Sequence, residues 1–146
     1  MTARPHWGPQ NGYRYTGQVL EVVDGDTLKL DVDLGPATHG RDLGFHIYVT
    51  PDGHVHLHSK FRVLGENAAE HGTPAGDAAT AFVVGLLPVG DFVVAISSPS
   101  PDDKYGGRFD AAIELPDGRD LATVEIAAGQ ALPWDGKGPR PVPGGA

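Results

Sequence analysis

The chain contains no cysteine among its 146 residues, which excludes disulfides and thiolate metal sites. It also lacks any stretch approaching the roughly 18 consecutive apolar residues needed to cross a bilayer. The first ten residues, MTARPHWGPQ, carry no apolar h-region of the kind a secretory signal requires. A soluble, non-exported protein with no membrane partner is therefore expected, its compartment cytoplasmic or left open. Positive charge is scarce as well: eleven Lys and Arg stand against nineteen Asp and Glu, a formal charge of −8. Phosphate binding is driven largely by Lys and Arg displacing counterions, so a surface that coats nucleic acid at large is excluded. Any such contact has to be local. Lys60, Arg62, Lys104 and Arg108 fall within two short segments, which leaves room for a small positive pocket in an acidic body.

The length suits one domain, which buries roughly two thirds of its unfolded surface without covalent staples. Residues 1–12 and 135–146 are rich in Pro and Gly without periodicity, and read as an N-terminal arm and an extended C-terminal tail around a domain at 13–134. Leu28, Leu30, Val32 and Leu34 alternate with Thr27, Lys29, Asp31 and Asp33, the period of a strand with one face buried. If Leu20 and Val22 share that face, the connection is a three-residue turn, Asp24-Gly25-Asp26, with Asp26 at the rim.

Residues 45–63 predict a second hairpin. A type I turn at Pro51-Asp52-Gly53, closed by a left-handed Gly, pairs Thr50 with His54, Tyr48 with His56 and His46 with His58. Val49, Ile47 and Phe45 then lie opposite Val55, Leu57 and Ser59 on the buried face. Thr73-Pro74 supplies an N-cap and a first-turn proline for a helix whose spacing runs through Ala75, Ala78, Ala79, Phe82 and Leu86 to the stop at Pro88. Residues 92–96 and 109–115 read as strands, and Asp120 opens a short helix that Gly129 closes. Five short strands with a helix after the third predict a mainly β, OB-type Greek-key barrel with two to three short helices.

Three segments carry the chemistry. Residues 22–30 (VVDGDTLKL) contain Asp26; residues 61–70 (FRVLGENAAE) contain Arg62, Asn67 and Glu70; residues 103–109 (DKYGGRF) contain Lys104, Tyr105 and Arg108. Together they supply the parts of a metal-assisted phosphodiester site: oxygen ligands for a cation, planar guanidinium donors for phosphate, and a carboxylate that orients water. Taken singly, Asp26 reads more readily as a turn residue than as a ligand, Arg62 and Glu70 as an ordinary surface ion pair, and Gly106-Gly107 as a plain turn.

In order and spacing these segments, with residues 127–136 (AAGQALPWDG), resemble the staphylococcal nuclease (thermonuclease-like) family over roughly residues 15–134. The resemblance implies an OB-fold, calcium as cofactor, and phosphodiester hydrolysis of DNA or RNA. It implies that Asp26, Asn67 and the backbone carbonyl of Ala68 ligate calcium, that Arg62 and Arg108 bind the scissile phosphate, and that Glu70 acts as general base. Lys104 and Tyr105 would lie along the nucleotide phosphate. Asn67 stands where the family has a second aspartate, Ala68 replaces a threonine, Ala69 a proline, and Glu66 occupies a usually apolar position. One negative charge fewer predicts weaker calcium binding. Residues 35–58 look like an insertion lengthening the second and third strands, and the Pro-rich tail takes the place of a long C-terminal helix.

Other features are less specific. His54, His56 and His58 share one strand face, with His46 expected across from His58. A cross-strand His pair binds zinc only with further ligands, so a polar, partly exposed face is the simpler expectation. Trp134 would either stack on a base or pin the tail to the barrel. A second function stays open: a catalytically degenerate domain serving as a binding or structural module, strapped by its terminal arms into a larger assembly such as a viral particle.

Overall fold

The computed structural model describes residues 14–36, 47–70, 72–97, 108–134 and 141. The expected arm at 1–12, Phe45, His46, Lys104, Tyr105 and the tail other than Pro141 lie outside the described residues.

Five strands close into a barrel: β1 (Arg14–Asp24), β2 (Thr27–Pro36), β4 (His54–Val63), β6 (Phe92–Ser97) and β7 (Arg108–Glu114). β1 pairs with β2 and β6, β2 closes on β4, and β7 joins β4 to β6. Every pairing is antiparallel except β4 with β7, which is parallel. This is the connectivity of an OB-type barrel, with helix α1 (Pro74–Leu86) between its third and fourth strands. Closure leaves no open edge among the five. A short strand, β3 (Ile47–Val49), pairs with the part of β4 that β7 does not reach.

Alternation builds the interior. Leu28, Leu30 and Val32 of β2 are fully buried, as are Phe61 of β4, Val19 of β1 and Ile113 of β7. The Phe61 ring meets Phe109 of β7 with centroids 5.6 Å apart. In β1 the register departs from simple alternation. Val19 pairs with Leu30 and Val22 with Leu28, with an irregularity between Val19 and Glu21. Bulging puts an extra residue on one strand and turns its neighbours over, so Val19 enters the core and Leu20 stays half-buried. The same pairing joins Asp24 to Thr27, so the turn has two residues, Gly25-Asp26, where parity alone suggested three.

The 47–63 hairpin follows its expected register: Tyr48 opposite His56 and Val49 opposite Val55. The Thr50 N–H donates to the His54 carbonyl at 3.0 Å, and Gly53 has φ +83. Val49, however, is 45% exposed, on a strand that pairs with β4 outside the five-stranded barrel. Thr73 caps α1 as expected, accepting from the Gly76 N–H at 3.0 Å. The buried face of α1 centres on Gly76, Ala79 and Val83, with Phe82 and Leu86 partly buried against the core and Ala78 exposed.

Two elements were not legible in the sequence. β5 (Gly65–Ala68) follows β4 directly and pairs antiparallel with β8 (Ala131–Trp134), Asn67 opposite Leu132 and Ala68 opposite Ala131. Helix α2 (Leu121–Ala127), capped by Asp120, packs on this two-stranded sheet. No helix among the described residues is long and apolar enough to cross a membrane.

Candidate functional site

The turn that carries Asp26 is clamped. A Cβ on Gly25 would lie 2.7 Å from the Ala79 Cβ and 2.8 Å from the Ala68 Cβ, so only glycine lets the β1–β2 turn wedge between β5 and α1. Asp26 then faces β5. Its Oδ2 accepts from the Ala68 N–H at 3.1 Å, its Oδ1 from the Thr27 hydroxyl at 3.2 Å, and its carbonyl from the Val63 N–H at 2.9 Å. Asp26 thus ties the turn to the end of β4 and to β5.

Arg62 leaves the last residues of β4, opposite Thr27. Its guanidinium carbon lies 4.5 Å from the Trp134 ring centroid, and its Nη2 donates to Asn67 Oδ1 at 3.4 Å. The Asn67 side-chain nitrogen donates in turn to the Pro141 carbonyl at 2.8 Å. Trp134 thus joins the end of β8 to Arg62; the tail it was expected to pin lies, Pro141 apart, outside the described residues.

Glu70 lies two residues beyond β5 and is exposed. Its carbonyl accepts from the Thr73 hydroxyl at 2.8 Å and the Thr73 N–H at 3.3 Å. A Cβ on Gly76 would collide with that carbonyl, so glycine in the first turn of α1 positions the Glu70 turn. Arg108 begins β7 beside Lys60 in the parallel pairing; its side chain, like Lys104 and Tyr105, lies outside what the structure describes. The fold therefore gathers Asp26, Arg62, Asn67 and Ala68 at one corner of the barrel, with Glu70 on the adjoining loop.

A second set of carboxyl groups lies in the same corner. Glu66 of β5 and Glu125 of α2 are 1% and 0% exposed, and among the described residues their four oxygens meet no donor other than the proton the two carboxyl groups can share. Burial, with the Asp26 and Asp120 carboxylates nearby, pushes Glu66 up to about 8. Burial, with Glu66 itself and then Asp26 and Asp24, pushes Glu125 up to about 11. Asp24 rises to about 6 through burial and its contact with Asp26. Clustering of raised carboxyl groups is a mark of functional sites. Glu66 had been noted as polar at an apolar position. Glu125 was missed, although it falls four residues after Leu121 on the inner face of α2, a spacing that helical periodicity exposes.

The histidine face has partners of its own. His54 Nδ1 lies 2.9 Å from Asp33 Oδ2, His56 Nδ1 2.9 Å from Asp31 Oδ1 and His58 Nε2 3.4 Å from Asp31 Oδ2. These pairs follow from the β2–β4 register and form the polar, partly exposed face that the sequence suggested. Among the described residues no three His, Asp or Glu side chains are arranged to hold a metal ion.

Calcium, implied by the resemblance, is a hard cation that takes several oxygen ligands. The Asp26 carboxylate fits that requirement. Asn67 as placed does not, because its oxygen faces the Arg62 guanidinium and its nitrogen holds Pro141. No protein-family model matches the chain and no curated protein does.

Proposed function

We propose that the chain is a nuclease of the thermonuclease-like kind, hydrolysing DNA or RNA phosphodiesters with metal assistance. The observation that carries this reading is the meeting of two chain-distant segments at one corner: the Asp26 turn, and residues 62–68, which run from the Arg62 end of β4 into β5 with Asn67 and Ala68. In hydrolysis, charge grows on the equatorial phosphoryl oxygens as water attacks in line, so fixed planar donors and an oriented water lower the barrier. Arg62 and Arg108 are the donors of this proposal. Glu70 orients and deprotonates the water, and Lys104 and Tyr105 flank the nucleotide phosphate. Calcium is the cation implied, and of the expected ligands Asp26 is the one suited to it.

Engagement of Asn67 by Arg62 and Pro141 favours a second reading, a barrel that keeps the architecture and serves as a binding or structural module. Replacement of Glu70 separates the two. Glu70→Gln should reduce calcium-supplemented plasmid cleavage by about 10² to 10⁴, with an unchanged melting point because the side chain is exposed. Undiminished cleavage in the variant would remove Glu70 from the reaction, and absence of cleavage by the natural chain would leave the module.

A further inference from the structure

Two strand pairings set basic residues side by side on the outer wall of the barrel. Lys29 of β2 lies directly opposite Lys60 of β4, and Lys60 stands beside Arg108 in the parallel β4–β7 pairing. Both lysines are exposed, on strands whose inward positions hold Leu28, Leu30 and Phe61. Neighbouring strands stand about 4.8 Å apart, so the three positions make a row of roughly 10 Å across β2, β4 and β7. Arg62 follows two residues along β4, a spacing that returns to the face of Lys60, and leads the row to the corner with Asn67 and the Asp26 turn. The other charges isolate this row. Among the described residues Arg14 is paired with Glu114 and Arg119 with Asp117, and Arg62 lies against Trp134 and Asn67, while neither lysine is ion-paired. Asp31, the next carboxylate along β2, is held by His56 and His58. Glu21 of β1, opposite Lys29, bounds the row on its far side. Like charges directly opposite in a sheet destabilise it, and an anion laid across both lysines removes that repulsion.

We propose that Lys29 and Lys60, with Arg108 at the third position, form a track for the sugar-phosphate backbone of single-stranded nucleic acid, running along the outer wall to the Arg62 corner. The row is short and neutralises about two or three phosphates. A duplex would bring a second charged strand against a chain of formal charge −8, which repels it, whereas one strand laid along the row meets its positive groups alone. The choice of nucleic acid as the anion rests on the reading proposed above; the binding itself needs neither metal nor reaction.

Fluorescence anisotropy tests the track, with the full chain titrated into a labelled dT oligonucleotide of about 12 nucleotides, in chelator and at about 50 mM salt and above. The natural chain should bind at low salt and release the strand as salt rises. Lys29→Gln and Lys60→Gln should melt no lower than the natural chain. Each should weaken binding about five- to tenfold at low salt and flatten the slope of log K against log salt by about 0.7. Replacing both lysines by arginine should keep the binding, and Arg14→Gln, on β1 opposite Ile96 and away from the row, should leave it unchanged. The dA·dT duplex should bind at least about fivefold more weakly than the single strand. No binding by the natural chain, binding untouched when both lysines become glutamine, an equal loss in Arg14→Gln, or a duplex bound as tightly as the single strand overturns the track. A strand bound through the two lysines in chelator but left uncut in calcium keeps the track and removes only the hydrolysis.

Discussion

Arg62 holds the indole of Trp134 against its guanidinium, 4.5 Å from carbon to ring centroid, joining the end of β4 in the barrel wall to the end of β8. Arginine over tryptophan is the favoured geometry of a cation–π contact. Trp134→Ala should lower stability by about 1–3 kcal/mol, the contact and the lost apolar cover combined. Urea denaturation measures the loss, and Trp134→Phe should recover part of it. A midpoint unchanged in Trp134→Ala would mean the stack contributes nothing.

The buried carboxyl pair makes stability depend on pH. Both folded-state values, about 8 for Glu66 and about 11 for Glu125, lie above the ordinary 4.5. The folded chain therefore keeps protons that the unfolded chain releases above about pH 4.5. Their contribution is complete below that pH and is lost as pH rises toward and through 8. In chelator, the natural chain should lose on the order of a few kcal/mol between pH 5 and pH 8. Glu125→Gln should flatten this slope and melt higher at pH 8. Equal slopes in the two proteins would contradict the shared burial.

Gly76 and Gly25 give a packing prediction of opposite sign to helix propensity. Gly76 lies in the first turn of α1, where alanine is ordinarily better by about 1 kcal/mol. Here the added Cβ meets the Glu70 carbonyl, so Gly76→Ala should cost about 1–3 kcal/mol and displace the Glu70 turn. Gly25→Ala should cost a similar amount through Ala68 and Ala79. Chemical denaturation of each variant checks both, and a stabilised Gly76→Ala would show that the turn yields freely.

The barrel was legible because its signals are local. Alternation along residues 27–34, the Pro51-Asp52-Gly53 turn, the Thr73 cap and the Asp120 cap each state a short-range preference that tertiary contacts leave standing. The β1 register was not, because a bulge inverts parity without changing composition. β5 and β8 escaped notice for another reason: four-residue strands pairing across more than sixty residues of chain leave no periodic trace. At the site, the nearness of Asp26, Arg62, Asn67 and Ala68 joins the first two of the three segments, and Gly25 explains how the turn reaches β5. What sequence spacing does not reveal is who faces whom. The contacts of Asn67 with Pro141 and of Glu66 with Glu125 join segments whose approach is decided by the β5–β8 sheet and α2.

The reaction itself is tested most directly by fragment release from single-stranded DNA, measured for the full chain at neutral pH in millimolar calcium and again in chelator. Fragments should accumulate with calcium and stop with chelator. Arg62→Ala should slow their release by about 10² to 10³, the usual loss of one fixed donor to the transition state. DNA left intact by the folded chain in calcium, or cut equally fast by Arg62→Ala, would contradict the assignment.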